Sequence, residues 1–403
     1  MYDFCRNGCG MVGAALALGL AQQRFKVAVI EPTLPREFNA EDGPDLRVSA
    51  ISASSVSLLR KLGAWQYIES MRYKAYTGLS VWDAPQHRTD FTSQSVGEKQ
   101  LGYFVENRLI QLGCHKALEA CSQVDIYSGQ SVKHIEQSDS GEENKQVSVV
   151  LCNGEGVSAT WLIGADGAHS QVRQAVGIGS SGWQYQQQAM GITILLDKPV
   201  KPITWQQFTP QGPRAFLPMF GNYGSLVWYD NPDVLANLSK LNNAQLSSEI
   251  MNAFPLELTA DGNGFTIVDK AVFPLTRAHA SEYIRGNCVL IGDAAHTINP
   301  LAGQGVNLGF KDVEALLAVS AQYTALSSHE LLSSHDFRAA LKANYEAPRR
   351  RDNALMMSAM DGFYTLFSND LAPIKWFRNQ LLSVAQRIEP AKREVLKYAI
   401  GLR

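Results

Sequence analysis

The sequence predicts an α/β protein in which a parallel sheet with covering helices is interrupted by an inserted antiparallel sheet and followed by a helical C-terminus. Three observations predict this class. A glycine-rich turn, a helix and a buried strand succeed one another at the start of the chain. Short, aromatic-rich strands begin near residue 190, and a buried strand returns at residues 288–291. Strands that alternate with helices favour parallel sheets, whereas closely spaced short strands favour antiparallel ones.

Composition limits the classes of function. The 403 residues are 45% hydrophobic and 18% charged, which suits a globular chain of roughly two to three domains. The formal net charge of −2 provides no basic surface for a phosphate backbone, so we predict no nucleic-acid partner. The six cysteines form no CxxC pair and have no metal-binding spacing with the eight histidines, so we predict no metal site.

The apolar run at residues 11–21 is too short for a membrane span, which takes about 20 residues. The run also resembles the core of a signal peptide, but Asp3 stands in the leading segment and a strand follows the run. We therefore predict a cytoplasmic protein.

Apolar residues at helical spacing, and short β-branched or apolar runs, predict the elements in order. The predicted helices cover residues 11–23, 52–62 and 108–120, and the tail beyond Ser334 is helical in pattern. The predicted strands of the first part cover residues 26–31, 132–137, 146–152 and 158–163. The predicted strands of the antiparallel sheet cover residues 192–196, 204–209, 214–218 and 225–229.

The first of three glycine clusters is the GxGxxG of Gly8, Gly10 and Gly13. Gly8 allows a tight turn, Gly10 lets the backbone approach a pyrophosphate, and Gly13 lets helix and strand pack closely. Glu31 ends the following strand, where an acid can bind a ribose hydroxyl. The alternative is a flexible loop, but the helix, strand and acid in register favour a Rossmann-like dinucleotide site.

The segment before this cluster departs from the pattern of a buried first strand. Arg6 and Asn7 stand where a central parallel strand is usually apolar. Two interpretations stay open, a shortened strand resembling an edge strand and a start region that differs from that of related proteins.

Two further clusters follow predicted strands. Asp166 and Gly167 belong to the sequence Gly164-Ala-Asp-Gly, whose alternative interpretation is an ordinary Asp-Gly turn. Asp293 begins the longer third cluster, which continues through Pro300, Gly303, Gln304, Gly305 and Asn307. An acid at the end of a strand can bind sugar-like hydroxyls, and glycines at a helix start expose N–H groups beside the positive end of the helix dipole. That arrangement suits a group whose reduced form is anionic; the alternative is a loop with a helix cap.

With these three motifs in this order, the chain resembles the flavoprotein monooxygenases of the aromatic-hydroxylase class, and within them the ubiquinone-biosynthesis hydroxylases. The resemblance covers nearly the whole chain, except residues 1–7, where relatives have an apolar strand. The stretches that carry it are residues 47–57 (RVSAISASSVS), 102–107 (GYFVEN), 205–218 (WQQFTPQGPRAFLP) and 292–309 (GDAAHTINPLAGQGVNLG).

The resemblance implies a p-hydroxybenzoate-hydroxylase-like fold, with a discontinuous FAD domain of residues 1–75, 100–180 and 280–340. It implies a substrate domain of residues 76–99 and 181–279 and a helical segment of residues 341–403. It also implies that FAD is held by Gly8, Gly10, Gly13, Glu31, Arg47, Arg108, Gln111, Asp166, Gly167, Asp293, Pro300, Gly303, Gly305 and Asn307. Gln304, with Pro300, Gly303 and Gly305, would face the flavin ring. Arg47 could instead be an ordinary surface arginine. His296 is assigned a structural role, with an acid–base role as the alternative.

The implied reaction is the ring hydroxylation of a polyprenylated quinol, with NAD(P)H as a transient donor, O₂, and a flavin hydroperoxide. The implied partners are other ubiquinone-biosynthesis proteins, with peripheral contact at the inner face of the membrane. Phe208, Phe216 and Trp228 are candidates for a ring-binding wall, with plain sheet core as the alternative. Aromatic and basic residues at 363–382 could contact lipid or pack on the FAD domain. A same-fold enzyme acting on another aromatic or isoprenoid substrate, and a non-catalytic scaffold, remain alternative functions.

Overall fold

The computed structural model describes residues 1–137, 146–298, 305–324 and 332–367. The strands of its first half are β1 (Tyr2–Asn7), β2 (Val27–Glu31), β3 (Val48–Ser52), β4 (Lys74–Tyr76), β5 (Gly78–Trp82), β6 (Thr89–Thr92), β7 (Gly102–Glu106), β8 (Val124–Ser128), β9 (Val132–Gln137), β10 (Val147–Leu151) and β11 (Gly156–Gly164). The later strands are β12 (Ser180–Leu196), β13 (Ile203–Gln207), β14 (Arg214–Pro218), β15 (Tyr223–Asp230), β16 (Phe265–Ala280), β17 (Ile284–Arg285), β18 (Cys288–Leu290) and β19 (His296–Thr297).

Most of the helices pack against the first sheet, and two cover one face of the second. The helices are α1 (Met11–Gln22), α2 (Ala53–Lys61), α3 (Trp65–Met71), α4 (Asn107–Leu118), α5 (Gln171–Ala175), α6 (Pro232–Lys240), α7 (Asn243–Ala253), α8 (Gly305–Ser320), α9 (His335–Leu341) and α10 (Ala347–Phe367). The predicted helical tail is thus helical as far as residue 367, and residues 368–403 lie outside the described residues.

The first sheet has the strand order β17-β18-β11-β1-β2-β8, and β10 and β9 extend from β11. The pairs β18–β11, β11–β1, β1–β2 and β2–β8 are parallel, as the buried strand patterns predict. Helices α1, α4 and α8 contribute buried apolar side chains to one core with these strands. This is the predicted α/β layer.

The first strand is complete and central, so the interpretation as an edge-like strand is wrong. β1 runs over six residues and pairs on both sides, with β11 and β2. Arg6 and Asn7 are buried within it. The strand tolerates these two polar side chains because both are hydrogen-bonded to the neighbouring turns.

The second sheet has the order β19-β16-β12-β15-β14-β13-β5-β6. This sheet is antiparallel except for the parallel pair β13–β5. Strand β5 comes from a separate segment of the chain, ahead of the main run of sheet strands. Helices α6 and α7 cover one face, where Leu235, Leu246 and Ile250 join the core. The predicted domain boundaries themselves stay a prediction.

A three-stranded sheet, β3-β7-β4, joins the two large sheets. Its residues Tyr76 and Phe104 form a small core with Leu79 and Leu217 of the second sheet. No helix in the described ranges combines the length and apolar character that crossing a bilayer requires.

Candidate cofactor site

The described parts of the three glycine clusters meet at one edge of the first sheet. Each cluster follows the carboxyl end of one of three adjacent parallel strands, β1, β11 and β18. The N–H of Ala165 donates to the carbonyl of Asn7 at 2.9 Å, and the N–H of Ile291 donates to the carbonyl of Gly164 at 3.0 Å. Ligands of open α/β sheets bind at this edge.

The glycines of the first cluster occupy different surroundings. Gly8 has φ +96°, and a Cβ there would lie 2.5 Å from the carbonyl oxygen of Ala165. A Cβ on Gly13 would lie 2.6 Å from the carbonyl oxygen of Gly8, so helix and turn are in close contact. A Cβ on Gly10 would meet nothing within 4 Å. The N-terminus of α1 therefore opens onto free space at Gly10, where an anionic group can approach its N–H groups.

Glu31 and helix α4 hold the turn from the other side. The Glu31 carboxylate accepts the N–H of Cys9 and, at 3.1 Å, the N–H of Thr33. Gln111 donates its side-chain amide to the carbonyl of Cys9 at 2.7 Å. In this arrangement Glu31 and Gln111 fix the backbone of the turn.

Arg108 lies at the start of α4, against the loop that follows β2. Its Nε donates to Asp45 at 2.8 Å, and its Nη1 donates to the carbonyls of Arg36 and Glu37. Its Nη2 is buried and has no hydrogen-bond partner among the described residues. A buried guanidinium nitrogen without a partner is costly, so this atom is suited to a polar ligand group.

Asp166 joins the first two clusters. Its Oδ2 accepts from the Asn7 side chain at 2.9 Å and from the N–H of Gln171 at 2.7 Å, whereas its Oδ1 is buried without a partner in the described structure. Gly167 beside it has φ +79°. Asn7, which departs from the expected apolar pattern, thus orients the acid of the second cluster.

Arg173 links the second cluster to the third. Its Nη1 donates to the carbonyl of Ala294 at 2.8 Å, and its Nη2 donates to that of Ala168 at 2.7 Å. The sequence gives no signal of this bridge.

Asp293 follows β18 at this edge of the sheet and is exposed to solvent. Desolvation raises the pKa of the Asp293 carboxyl above its ordinary value, and the positive charges of His296 and Arg47 oppose that rise. Arg47 is exposed, and its guanidinium lies 5.6 Å from the centre of the Phe273 ring.

Behind Asp293, a buried carboxylate connects three elements. Asp312 of α8 accepts the N–H of Gly292 at 2.9 Å, a bond from His296 at 2.5 Å and one from Nε of Arg349 at 2.8 Å. The side chains of Asp312, His296 and Arg349 are all buried, so the surroundings of His296 fit the structural role predicted for it. Arg349 comes from α10, whose part in this network the sequence does not reveal.

Asn307 uses its side chain within the protein. Its Oδ1 accepts from the N–H of Ser52 and the hydroxyl of Ser55, and its Nδ2 donates to the carbonyl of Ala50. Gly305 begins α8 at the same edge. Pro300, Gly303 and Gln304 lie outside the described residues.

The predicted ring-binding wall is wrong for Phe216 and Trp228. Both side chains are buried in the core beneath α6 and α7, with Trp205 and Phe254. Strand alternation turns them to the face opposite Val227 and Ala215. The alternative of plain sheet core fits Phe216 and Trp228, whereas Phe208 is buried just beyond the end of β13.

Known proteins resemble the chain throughout its length. Residues 7–343 match the family described as FAD binding domain. The sequence is 46% identical to 3-demethoxyubiquinol 3-hydroxylase of Escherichia coli, over 98% of this chain and 97% of that protein. It is 32% identical to ubiquinone hydroxylase UbiL of Rhodospirillum rubrum, over 98% of this chain and 88% of that protein. It is 31% identical to human ubiquinone biosynthesis monooxygenase COQ6, over 99% and 92%.

Two solved structures share the fold. The p-nitrophenol 4-monooxygenase of Pseudomonas putida has a TM-score of 0.71 at 17% identity, over 99% of this chain and 98% of that one. The probable FAD-dependent monooxygenase PqsL of Pseudomonas aeruginosa has a TM-score of 0.71 at 18% identity, over 91% and 97%. These neighbours confirm the predicted fold class.

Proposed function

Because this chain belongs to the FAD-binding family of flavin-dependent monooxygenases, we propose that it hydroxylates the ring of a polyprenylated demethoxyubiquinol in ubiquinone biosynthesis. The single observation that carries the substrate assignment is the 46% identity to the Escherichia coli hydroxylase across almost the full length of both chains. The described parts of the three glycine clusters meet at one sheet edge, and this geometry supports the binding of FAD.

The residues at that edge fit FAD. The open space at Gly10 suits a pyrophosphate at the N-terminus of α1, and the unpartnered Nη2 of Arg108 suits another anionic or polar group of the cofactor. The unpartnered Oδ1 of Asp166 and the accessible carboxylate of Asp293 suit hydroxyl donors. Glu31 and Gln111 hold the turn, and Gly13 and Gly167 give it its shape. Bound FAD supplies the activation of O₂ that the side chains of the protein cannot provide.

The Asp312 network positions the third cluster. It fixes the N–H of Gly292, and thereby the turn that presents Asp293 to the cleft. Asn307 binds the start of α8 to the β3–α2 junction. We assign Asn307 this positioning role, with Gly305 and its N–H at the helix start facing the cofactor.

The ring of the substrate fits the face of the second sheet opposite Phe216 and Trp228. Register places Ala189, Gly191, Val227 and Phe273 together on that face. A Cβ on Gly191 would lie 3.4 Å from the Phe273 ring and 3.9 Å from Leu46, which precedes Arg47. The Phe273 ring and Leu46 therefore lie beside Gly191, and we propose that they line the ring of the substrate and exclude water from it.

Other parts of the proposal concern partners. NAD(P)H is the proposed donor, and it has no Rossmann site of its own in this proposal, because the sequence carries a single dinucleotide fingerprint, which we assign to FAD. The polyprenyl tail of the substrate requires contact with a membrane surface or a carrier, which suits a cytoplasmic protein at the inner face of the membrane. Other ubiquinone-biosynthesis proteins are its expected neighbours.

The test uses the purified full chain with FAD, NADH or NADPH, and a short-chain demethoxyquinol. We expect a yellow protein that oxidises the nicotinamide faster when the quinol is present. The product should be 16 mass units heavier than the quinol, which is the mass of one oxygen atom. The control replaces the demethoxyquinol with a quinol that already carries the added group.

The other outcomes separate the alternative functions. A yellow protein that oxidises the nicotinamide equally with both quinols contradicts the substrate assignment and favours the same-fold enzyme with another substrate. A colourless protein that binds no added FAD contradicts the enzyme assignment and favours a scaffold.

A further inference from the structure

A buried ion pair stands at the junction of β7 and α4. Glu106 belongs to the stretch 102–107 that carries the family resemblance, and Arg72 directly follows α3. Arg72 donates from Nε to Oε2 of Glu106 at 2.7 Å and from Nη2 to Oε1 at 2.8 Å. The two side chains are only 8% and 2% exposed. A bidentate pair of this kind fixes the plane of the guanidinium as well as its distance from the carboxylate.

The pair holds the end of the long connection between β2 and β3. This connection is described over its whole length and forms neither helix nor strand. Nη1 of Arg72 donates to the carbonyl of Asp42 at 2.8 Å, and Nη2 donates to that of Gly43 at 2.9 Å. Oε1 of Glu106 accepts the N–H of Asp45 at 2.7 Å. Because the connection has no regular backbone pairing, these three bonds to buried side chains are well placed to order it.

The segment that the pair holds, residues 42–47, ends at the face of the second sheet proposed for the substrate ring. A Cβ on Gly191 would lie 3.9 Å from Leu46. The guanidinium of Arg47 lies 5.6 Å from the centre of the Phe273 ring. The position of the segment therefore decides which side chains meet that face.

Arg72 also contacts the second sheet directly. Its guanidinium lies 4.2 Å from the centre of the ring of Phe220, which lies in the turn between β14 and β15. A cation above an aromatic face is attracted by the electrostatic field of the ring. One side chain therefore joins the segment 42–47 to the sheet that this segment meets at Gly191.

We propose that Arg72 and Glu106 are positioning residues for the substrate site, because together they hold the segment 42–47 against the second sheet so that Leu46 lines the ring of the bound quinol. The pair acts through Leu46 and is assigned no contact with the substrate. The identity of the substrate rests on the proposed function, whereas the holding of the segment depends on this chain alone.

Two substitutions break the pair in different ways. Glu106→Gln keeps the shape of the side chain and removes its charge. Arg72→Lys keeps the charge but cannot bind a carboxylate and two carbonyls with one planar group. In the FAD-loaded full chain, both should raise KM for the short-chain demethoxyquinol about tenfold and change kcat less than about twofold, because a wall that lines the ring contributes equally to the bound substrate and the transition state.

The division between KM and kcat separates positioning from mere stabilisation of the fold. A pair that only stabilised the fold would, when broken, lower the amount of active protein and thereby the apparent kcat, and KM would not change. An unchanged KM in either variant therefore overturns the proposal. If neither variant folds, Phe220→Leu leaves the ion pair in place and should raise KM by a smaller factor, and an unchanged KM in Phe220→Leu then overturns it.

Hydrogen exchange of the FAD-loaded protein without quinol measures the segment itself. Peptides that cover residues 38–47 should exchange faster in Glu106→Gln and Arg72→Lys than in the unmodified protein, and peptides that cover β12 should not. The matched control is Arg36→Gln. Arg36 pairs with Asp42 of the same segment at 2.9 Å, but its side chain is 67% exposed, so its loss should change neither KM nor the exchange.

The two measurements also separate this inference from the proposed function. An unmodified protein that does not hydroxylate the quinol contradicts the proposed function. The exchange of residues 38–47 then decides the role of the pair, and equal exchange in the unmodified protein and in both variants overturns it.

Discussion

At the residue scale, the glycines of the first cluster separate the requirements of the fold from those of the ligand. Gly8 needs its left-handed backbone and has no room for a Cβ, whereas Gly10 has both an extended backbone and open space. One motif therefore contains two kinds of constraint, and the spacing of the glycines in the sequence does not distinguish them.

This difference predicts opposite effects of two alanine substitutions. Gly8→Ala should destabilise the FAD-free protein by about 1–3 kcal/mol or more, because of backbone strain and contact with the carbonyl of Ala165. Gly10→Ala should leave that stability unchanged and weaken FAD binding. Urea unfolding of the FAD-free proteins and fluorescence titration with FAD measure the two effects. Equal losses of stability in both variants would refute this assignment.

A second residue-scale prediction concerns Asp312. Asp312→Asn removes the carboxylate that Arg349 and His296 share, and it should cost about 3–5 kcal/mol of stability because the guanidinium loses its buried ionic partner. The matched control is Asp352→Asn, since Asp352 contacts the same arginine but its side chain is 61% exposed. Replacing the Asp352 carboxylate should lower the free energy of unfolding by less than about 1 kcal/mol. Urea unfolding measures the loss of stability in both variants. Similar losses in Asp312→Asn and Asp352→Asn would contradict the role assigned to Asp312.

The pH dependence of this contribution has a definite sign. Burial raises the pKa of the Asp312 carboxyl, but His296 and Arg349 outweigh burial and hold it below its ordinary value. A depressed carboxyl pKa stabilises the fold above the unfolded pKa of about 3.9, and this stabilisation is lost as the pH falls through the lower folded value. The difference in stability between the protein and Asp312→Asn should therefore shrink below about pH 4.

At the scale of elements, periodicity predicts those whose partners are nearby. The predicted helix 11–23 and strand 26–31 match α1 and β2 to within one residue at each end. The sequence pattern predicts strand β12 only at its apolar end, residues 192–196, because residues 180–188 are mostly polar or small. Its long partner β16 supplies the missing pairing, across an irregular register between Gln184 and Gln188. Such an element depends on tertiary pairing and leaves a weak local signal.

The two faces of β12 give the element-scale prediction. Gly191→Leu should place a side chain in the proposed ring site and lower kcat/KM for the quinol tenfold or more, with FAD binding unchanged. Ile192→Leu is the matched control, because Ile192 faces the core beneath α6 and α7 and the change conserves volume. Steady-state kinetics with the short-chain quinol measure both. A larger loss of activity in Ile192→Leu would place the ring on the other face.

At the scale of the whole molecule, the site depends on segments almost 300 residues apart, from Gly8 to Gly305. The order of three motifs along the chain made this meeting predictable, since strand ends of one parallel sheet share an edge. The Asp312–Arg349 contact and the sheet face proposed for the ring were not predictable. Both depend on how α10 and the second sheet pack, which no local pattern encodes.

A shared site of this kind predicts that the cofactor stabilises the molecule as a whole. FAD at about 100 times its Kd should raise the unfolding free energy by about 2.7 kcal/mol, because it binds only the folded state. This stabilisation by FAD should vanish in Gly10→Val. The substitution leaves the packed interior intact, because a Cβ at residue 10 meets nothing within 4 Å. Chemical unfolding with and without FAD measures this gain. An unchanged gain in Gly10→Val would argue against the turn as the pyrophosphate site.

The central place of β1 also bears on how the chain folds as it leaves the ribosome. β2 can pair with one side of β1 early, but the other side pairs with β11, which ends 157 residues after Asn7. At about 5–20 residues per second, synthesis leaves that backbone edge open for about 10–30 s. An open strand edge is a template for unwanted pairing with other chains. A charged side chain on an open strand edge disfavours such pairing, so we expect Arg6, near the end of this strand, to reduce it during the delay.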